Sequence, residues 1–345
     1  MRVKLKDITK FSKGTQINGK NLIDDGAYSY LNGGINPSGK WNEFNVSENT
    51  VTISEGGNSS GYVNYMNDAF WCGAHCYYLY DGPKNSKYLY YALKSQQERL
   101  FRIRSGACMP NIKKSDLGNF IIEYEKDEVR QEEVVKVLEK CELLIEDYNK
   151  KLTLLDEAVR ARFVEMFGDP VINSCQFPVQ PMTDICDIID GDRGKNYPKS
   201  EEILDDGYCL FLNAKNVTQK GFDFENCNFI TREKDDALRN GKLSRGDVVL
   251  TTRGTVGNLA YYSKNVPYEN IRINSGMVIL RMNRSILNEI YFIELFKMKL
   301  SDIKEKIASG SAQPQLPIST MNKIILMIPP LELQNQFASF VQEID

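Results

Sequence analysis

Histidine is nearly missing from this chain: His75 is the only one in 345 residues. That excludes clusters of histidines as metal ligands or as catalytic pairs. Cys72 and Cys76 flank His75, but a fourth ligand is missing nearby, so packing residues are expected there rather than a metal. No apolar run is long enough for a transmembrane helix. The opening MRVKLKDITKF has no apolar signal-peptide core. Eight scattered cysteines make no dense disulfide framework, so a reduced, cytoplasmic chain is expected. The sequence also lacks an HExxH pair, a GxSxG turn, a P-loop and a strand followed by GxGxxG. No methyltransferase or nuclease motif stands out, so no catalytic residue is assigned.

Proline and glycine are absent from 127–167, and this absence organises the rest. Apolar residues recur there at Val134, Val137, Cys141, Leu144, Tyr148, Leu152, Leu155 and Val159. The spacing is that of a coiled-coil seam with one four-residue step out of phase. A helix of that length runs about 60 Å, too long for the interior of one compact domain. It stops at Phe167-Gly168-Asp169-Pro170, with glycine and then proline after the last periodic residue. Such a spacer serves a dimerisation coil, an intramolecular helical hairpin or a rod between two domains, and periodicity does not choose among them.

Four segments follow: 1–126, a spacer at 127–169, 170–328, and a second helix opening at 329–345. The net charge of −3 hides an uneven distribution. Residues 1–126 carry 16 basic and 12 acidic side chains, while 127–169 carry 7 and 12. The acid therefore sits partly on the spacer and the base is local, which matters more to a polyanion than the total. Short aromatic or β-branched runs (27–31, 50–54, 62–65, 76–80, 120–124), helical spacing over 87–103 and many glycine- or asparagine-rich loops predict an α+β fold.

The second half repeats the first. Leu5-Lys6-Asp7-Ile8 matches Met182-Thr183-Asp184-Ile185, and Leu31-Asn32 matches Leu212-Asn213. The run 106–112 matches 310–316 at an offset of 204, which carries on through Phe120-Ile121-Ile122 with Ile324-Ile325-Leu326, Glu128 with Glu332, and Val137 with Val341. By this register the helix beginning near Pro329-Pro330 corresponds to the start of the spacer, and the sequence covers only its first part. A second spacer cut short is the expectation.

Several stretches together are distinctive: Ser309–Leu316 followed by Ile328-Pro329-Pro330-Leu331-Glu332, the exit Phe163–Pro170, and Gly246–Gly257. In these the chain resembles the specificity subunit of type I restriction-modification systems, over essentially its whole length. The resemblance implies two target-recognition domains, each reading one half of a split double-stranded DNA sequence. It also implies helical spacers that set the gap and dock two adenine methyltransferase subunits, with the 134–159 seam expected as the interface to a partner or to the second, antiparallel spacer helix. A motor and nuclease subunit completes such a complex. S-adenosylmethionine then belongs to the methyltransferase partner, ATP and Mg to the motor partner, and no cofactor to this chain.

Base reading needs polar side chains at groove edges and cations on phosphates. Residues 251–258 offer the best local candidate: Arg253 in a turn between two glycines, with Thr251, Thr252 and Asn258 beside it. The plain alternative is a β-turn whose arginine pairs with a nearby acid. Residues 54–62 occupy the equivalent place in the first half and offer Asn58, Ser59 and Ser60. Arg102, Arg104, Lys113, Lys114, Arg239, Lys242 and Arg245 are candidates for phosphates, or else form a solvated surface. A coiled-coil adaptor with no DNA target remains the second reading.

Overall fold

The computed structural model describes residues 1–106, 109–308 and 315–344. The run 309–314 of the distinctive loop, and Ala107 and Cys108 of its first copy, lie outside the described residues. The chain divides into two units, Met1–Asn149 and Lys150–Asp345. Both mix helices with small sheets, so the α+β expectation holds.

In the first unit a four-stranded antiparallel sheet has the spatial order Lys10–Lys13, Cys76–Tyr80, Thr50–Ser54, Val63–Met66. A three-stranded sheet centres on Tyr28–Leu31, antiparallel to Gly39–Trp41 and parallel to Phe70–Cys72. A two-stranded ribbon joins Arg2–Lys4 to Ile121–Glu123. The central strand Thr50–Ser54 is buried along nearly all its length, so its β-branched residues cover both faces. Val51, Ile53, Val63, Tyr77, Leu89, Leu93, Leu117 and Ile122 form the main core.

The second unit repeats every one of these pairings. Its four-stranded sheet runs Cys186–Asp190, Met277–Met282, Val248–Thr251, Leu259–Tyr261. Its three-stranded sheet centres on Cys209–Leu212, antiparallel to Phe229–Ile230 and parallel to Ile271–Ile273. Its ribbon pairs Val179–Pro181 with Ile325–Met327. The Leu5 amide donates to the Phe120 carbonyl at 2.9 Å, and the Met182 amide donates to Ile324 at the same distance. The repeat seen in the sequence is thus a repeat of hydrogen-bonding topology.

One detail of the register changes. The ribbons keep the 204 offset, Ile122 against Leu326, but the helices that follow start at Glu128 and Leu331, one residue closer. Gln131 and Gln334 mark the shift. Each is buried, and each donates its side-chain amide to a carbonyl just before its helix, Glu125 at 2.6 Å and Pro329 at 2.8 Å. Glu128 therefore corresponds to Leu331, not Glu332. The two prolines shorten the second connection.

The long helix is continuous from Glu128 to Phe167. Gly168 follows at φ +72°, a left-handed cap that glycine adopts without steric cost. Its first half docks on the first unit by a face rotated away from the predicted seam. Gln131 and Val135 are buried, Lys87 lies 3.8 Å from Glu139, and the Tyr91 hydroxyl donates to Glu142 at 2.7 Å. In its last turns Phe163 and Phe167, four residues apart on one face, enter the core of the second unit against Tyr291 and Phe337. The seam itself stays on the surface of this chain: Val137 is 62% exposed, Leu144 47%, Leu152 52% and Leu155 40%. Val134, Cys141 and Tyr148 are exposed as well, and only Val159 is half-buried, against the second core.

Candidate nucleic-acid interface

The turns at 54–62 and 251–258 are built alike. The Thr251 amide donates to Asn258 and the Gly257 amide returns to Thr251. In the first unit the Ser54 amide donates to Tyr62 and the Gly61 amide returns to Ser54. Gly57 and Gly61 have φ +77° and +84°, Gly254 and Gly257 +71° and +86°, so both turns need a left-handed residue at two matching places. Isolated bridges tie Gly56 to Asn111 and Arg253 to Gln315. Arg253 therefore stands where the first unit has Gly56.

Arg253 is exposed, and among the described residues it has no hydrogen bond or ion pair, so the acid-paired alternative does not hold. Its neighbours hold the turn. Thr251 is fully buried; its hydroxyl donates to the Thr255 carbonyl and accepts from the Asn258 amide. Thr252 donates to the Gly276 carbonyl at 3.0 Å, and the Asn258 side chain donates to Val217 at 2.9 Å. As direct DNA contacts, Thr251, Thr252 and Asn258 are corrected: their polar atoms are spent on backbone groups inside the fold. Arg253 lines a shallow cleft with Asp190, Arg193 and Gln315. Arg193 donates to Asp190 at 3.0 Å and to the Ser275 carbonyl at 3.3 Å. Nothing local in the sequence marks Arg193 or Gln315 as neighbours of Arg253, because one lies on a loop 60 residues upstream and the other at a bridge 62 residues downstream.

The first turn presents less. Ser60 is buried and donates to the Glu55 carbonyl, and Ser59 donates to Gly33 at 2.6 Å, so both are internal braces rather than contacts. Asn58 is exposed at the tip. Glu55 takes Lys13 at 2.7 Å and His75 at 3.4 Å. His75 thus faces outward while Cys72 and Cys76 are buried and donate to backbone carbonyls. Contact with Cys76 and burial push the Cys72 thiol up, which keeps it protonated.

The basic candidates divide. Arg245 donates to the carbonyls of Ser263, Val266 and Tyr268 and covers the Tyr262 ring, so it closes a loop. Lys242 pairs with Asp235, which is fully buried and also bound by Arg272. Burial raises the Asp235 carboxyl, but the two cations outweigh it and hold it below the usual range. Arg245 and Lys242 are therefore corrected to structural roles. Arg104 donates to the carbonyls of Phe101 and Asn58 and braces the first turn. Arg239 is exposed beside Asp192, whose carboxyl is held at about 2 by the backbone amides of Gly194 and Arg239. Arg102, Lys113 and Lys114 are exposed, Lys114 lying 5.7 Å from the Phe11 ring.

The sequence matches the family described as Type I restriction modification DNA specificity domain over residues 1–155 and again over 177–345. The chain belongs to this family. It carries the domain twice, matching the two-fold repeat of sheets, and its function is DNA sequence recognition in a type I restriction-modification system. The match gives no support to an adaptor without a DNA target. A putative type I specificity subunit of Mycoplasma genitalium is 28% identical over 96% of this chain and 84% of its own length. The specificity subunit of the MjaIX enzyme of Methanocaldococcus jannaschii is also 28% identical, over 74% of this chain and 62% of its own. A crystal structure of a type I restriction-modification S subunit from M. genitalium covers all of this chain and 89% of its own, with a TM-score of 0.64 at 22% identity, a likeness of fold. Among the described residues no helix is long and apolar enough to cross a membrane.

Proposed function

We propose that the chain reads a split double-stranded DNA target, one half by each unit, and carries no chemistry of its own. The observation behind this is the duplicated turn. Two glycines in left-handed conformations shape the same loop in each unit, and in the second it carries an exposed Arg253 free of internal partners among the described residues. An arginine so placed suits the O6 and N7 acceptors of guanine or a phosphate. Different residues at equivalent places, Gly56 and Arg253, Asn111 and Gln315, suit two unlike half-sites.

The partners in this reading are two adenine methyltransferase subunits, which bring S-adenosylmethionine and flip the target base, and motor and nuclease subunits that use ATP and Mg. The exposed seam from Val134 to Leu155 is the surface for a partner helix or subunit. The assembly works in the cytoplasm. Co-expression with its modification subunit, followed by mapping of methylated adenines, tests the proposal. A single split motif is the expected result. Methylation without a consistent motif, or none from an assembled complex, would overturn it.

A further inference from the structure

The two units also differ in charge away from the turns, on the ribbon. In the first unit two adjoining surface hollows meet at Ile121. One is lined by Arg2, Lys4, Lys6 and Lys126 together with Asp7; the other contains Arg99, Arg102 and Asp116. Arg2, Lys4, Lys6, Arg102 and Lys126 are exposed and form no ion pair among the described residues. Arg99 is engaged, donating to Gln96 and lying 5.1 Å from the Phe120 ring.

The same ribbon in the second unit is neutral. Arg2 pairs with Glu123 as Val179 pairs with Met327, and Lys4 pairs with Ile121 as Pro181 pairs with Ile325. Lys6 corresponds to Thr183, and Lys126 falls where the second unit has Pro329-Pro330. The scaffold does not need these cations, since its copy folds without them. Around the first ribbon cations outnumber acids, Arg2, Lys4, Lys6, Arg99, Arg102 and Lys126 against Asp7, Asp116 and Glu123, which stands opposite Arg2 in the ribbon. Such an excess in one copy, costly to folding unless an anion is bound, points to a ligand.

We infer that the basic ribbon of the first unit is a clamp for the phosphodiester backbone of duplex DNA, independent of base sequence. Arg2 and Lys4 are two residues apart and share one face of a strand, about 6.6 Å from each other. Lys6 and Lys126 extend the row. Open hollows edged by a row of cations suit a linear polyanion better than a small ligand. The first unit then supplies more of the electrostatic affinity than the second. This rests on the proposed DNA reading but concerns residues outside the reading turns.

The test uses the full chain, co-expressed with its modification subunits, and duplex DNA of random sequence. Affinity is measured between about 50 and 200 mM salt. The variant R2V/K4Q/K6T/K126Q neutralises the row, and since all four side chains are exposed and their mutual repulsion is relieved, its thermal midpoint should be no lower than the parent's. Each lost phosphate contact lowers the slope of log K against log salt by about 0.9, so a fall of about 3.6 is expected. The charge-keeping variant R2K/K4R/K6R/K126R should retain the parental slope. An unchanged slope in the neutralised variant overturns the clamp, and so does a fall in slope that comes with loss of a methyltransferase subunit, which would make the row a protein contact. If the clamp fails while the parent still methylates a split motif, the proposed function stands. If the parent shows no motif, the proposed function falls first.

Discussion

At the scale of single residues, exposure separates readers from braces. Arg253 and Arg245 sit eight residues apart and look alike in sequence, yet Arg245 is tied to three carbonyls and Arg253 to nothing described. Arg253→Ala should leave the melting temperature unchanged and weaken duplex binding. A bidentate guanine contact is worth about 1–3 kcal/mol against the wrong base. A phosphate contact would instead weaken all sequences alike and flatten the salt dependence by about one unit. Unaltered affinity for every duplex would remove Arg253 from the interface. Asp192 makes a pH prediction. Its folded pKa of about 2 lies below the ordinary 3.8, so the unfolded chain takes up a proton first as pH falls. The stability it contributes is present above about pH 4 and lost as pH drops through 2. Asp192→Asn should flatten that part of an acid-unfolding curve, and an unchanged curve would show that the carboxylate contributes nothing.

At the scale of elements, the spacer joins two kinds of helix in one. Its beginning is held by polar contacts from Lys87 and Tyr91, its end by Phe163 and Phe167 in an apolar core. Burial and the Glu142 carboxylate push the Tyr91 phenol up, so it stays a donor throughout the physiological range. Seven helical residues inserted after Asn149 avoid both attachments and lengthen the helix by about 10 Å. At about 3.4 Å per base pair the recognised gap should grow by about three, as read by methylation mapping, with both half-sites intact. A changed half-site with an unchanged gap would refute the spacer role.

At the scale of the whole molecule, duplication lets one scaffold carry two different reading surfaces. The ladders of the two units agree strand for strand, while the exposed or half-buried residues at matching places do not: Gly56 and Arg253, Lys13 and Asp190, Arg2 and Val179. Replacement of Asn58 by Asp should therefore alter one half of the methylated motif, and Arg253→Ala only the other. A single substitution that changed both halves would contradict independent reading.

By itself the sequence determined the periodic helix, its glycine stop, the α+β class and the repeat, because each is written in local spacing or in order along the chain. It also held the family resemblance, since loops and strand edges carry their motifs contiguously. What it left open was orientation. Thr251, Thr252, Asn258, Ser59 and Ser60 read as polar contacts, but their partners are backbone groups brought in by other strands and loops, which only the tertiary structure supplies. The seam and the docking face of the spacer lie on one helix and differ by a rotation, so Val135 rather than Val134 is buried. The charged ribbon became visible only when Arg2 and Lys126, far apart in sequence, met at Ile121, because strand pairing rather than sequence distance decides which cations share a surface.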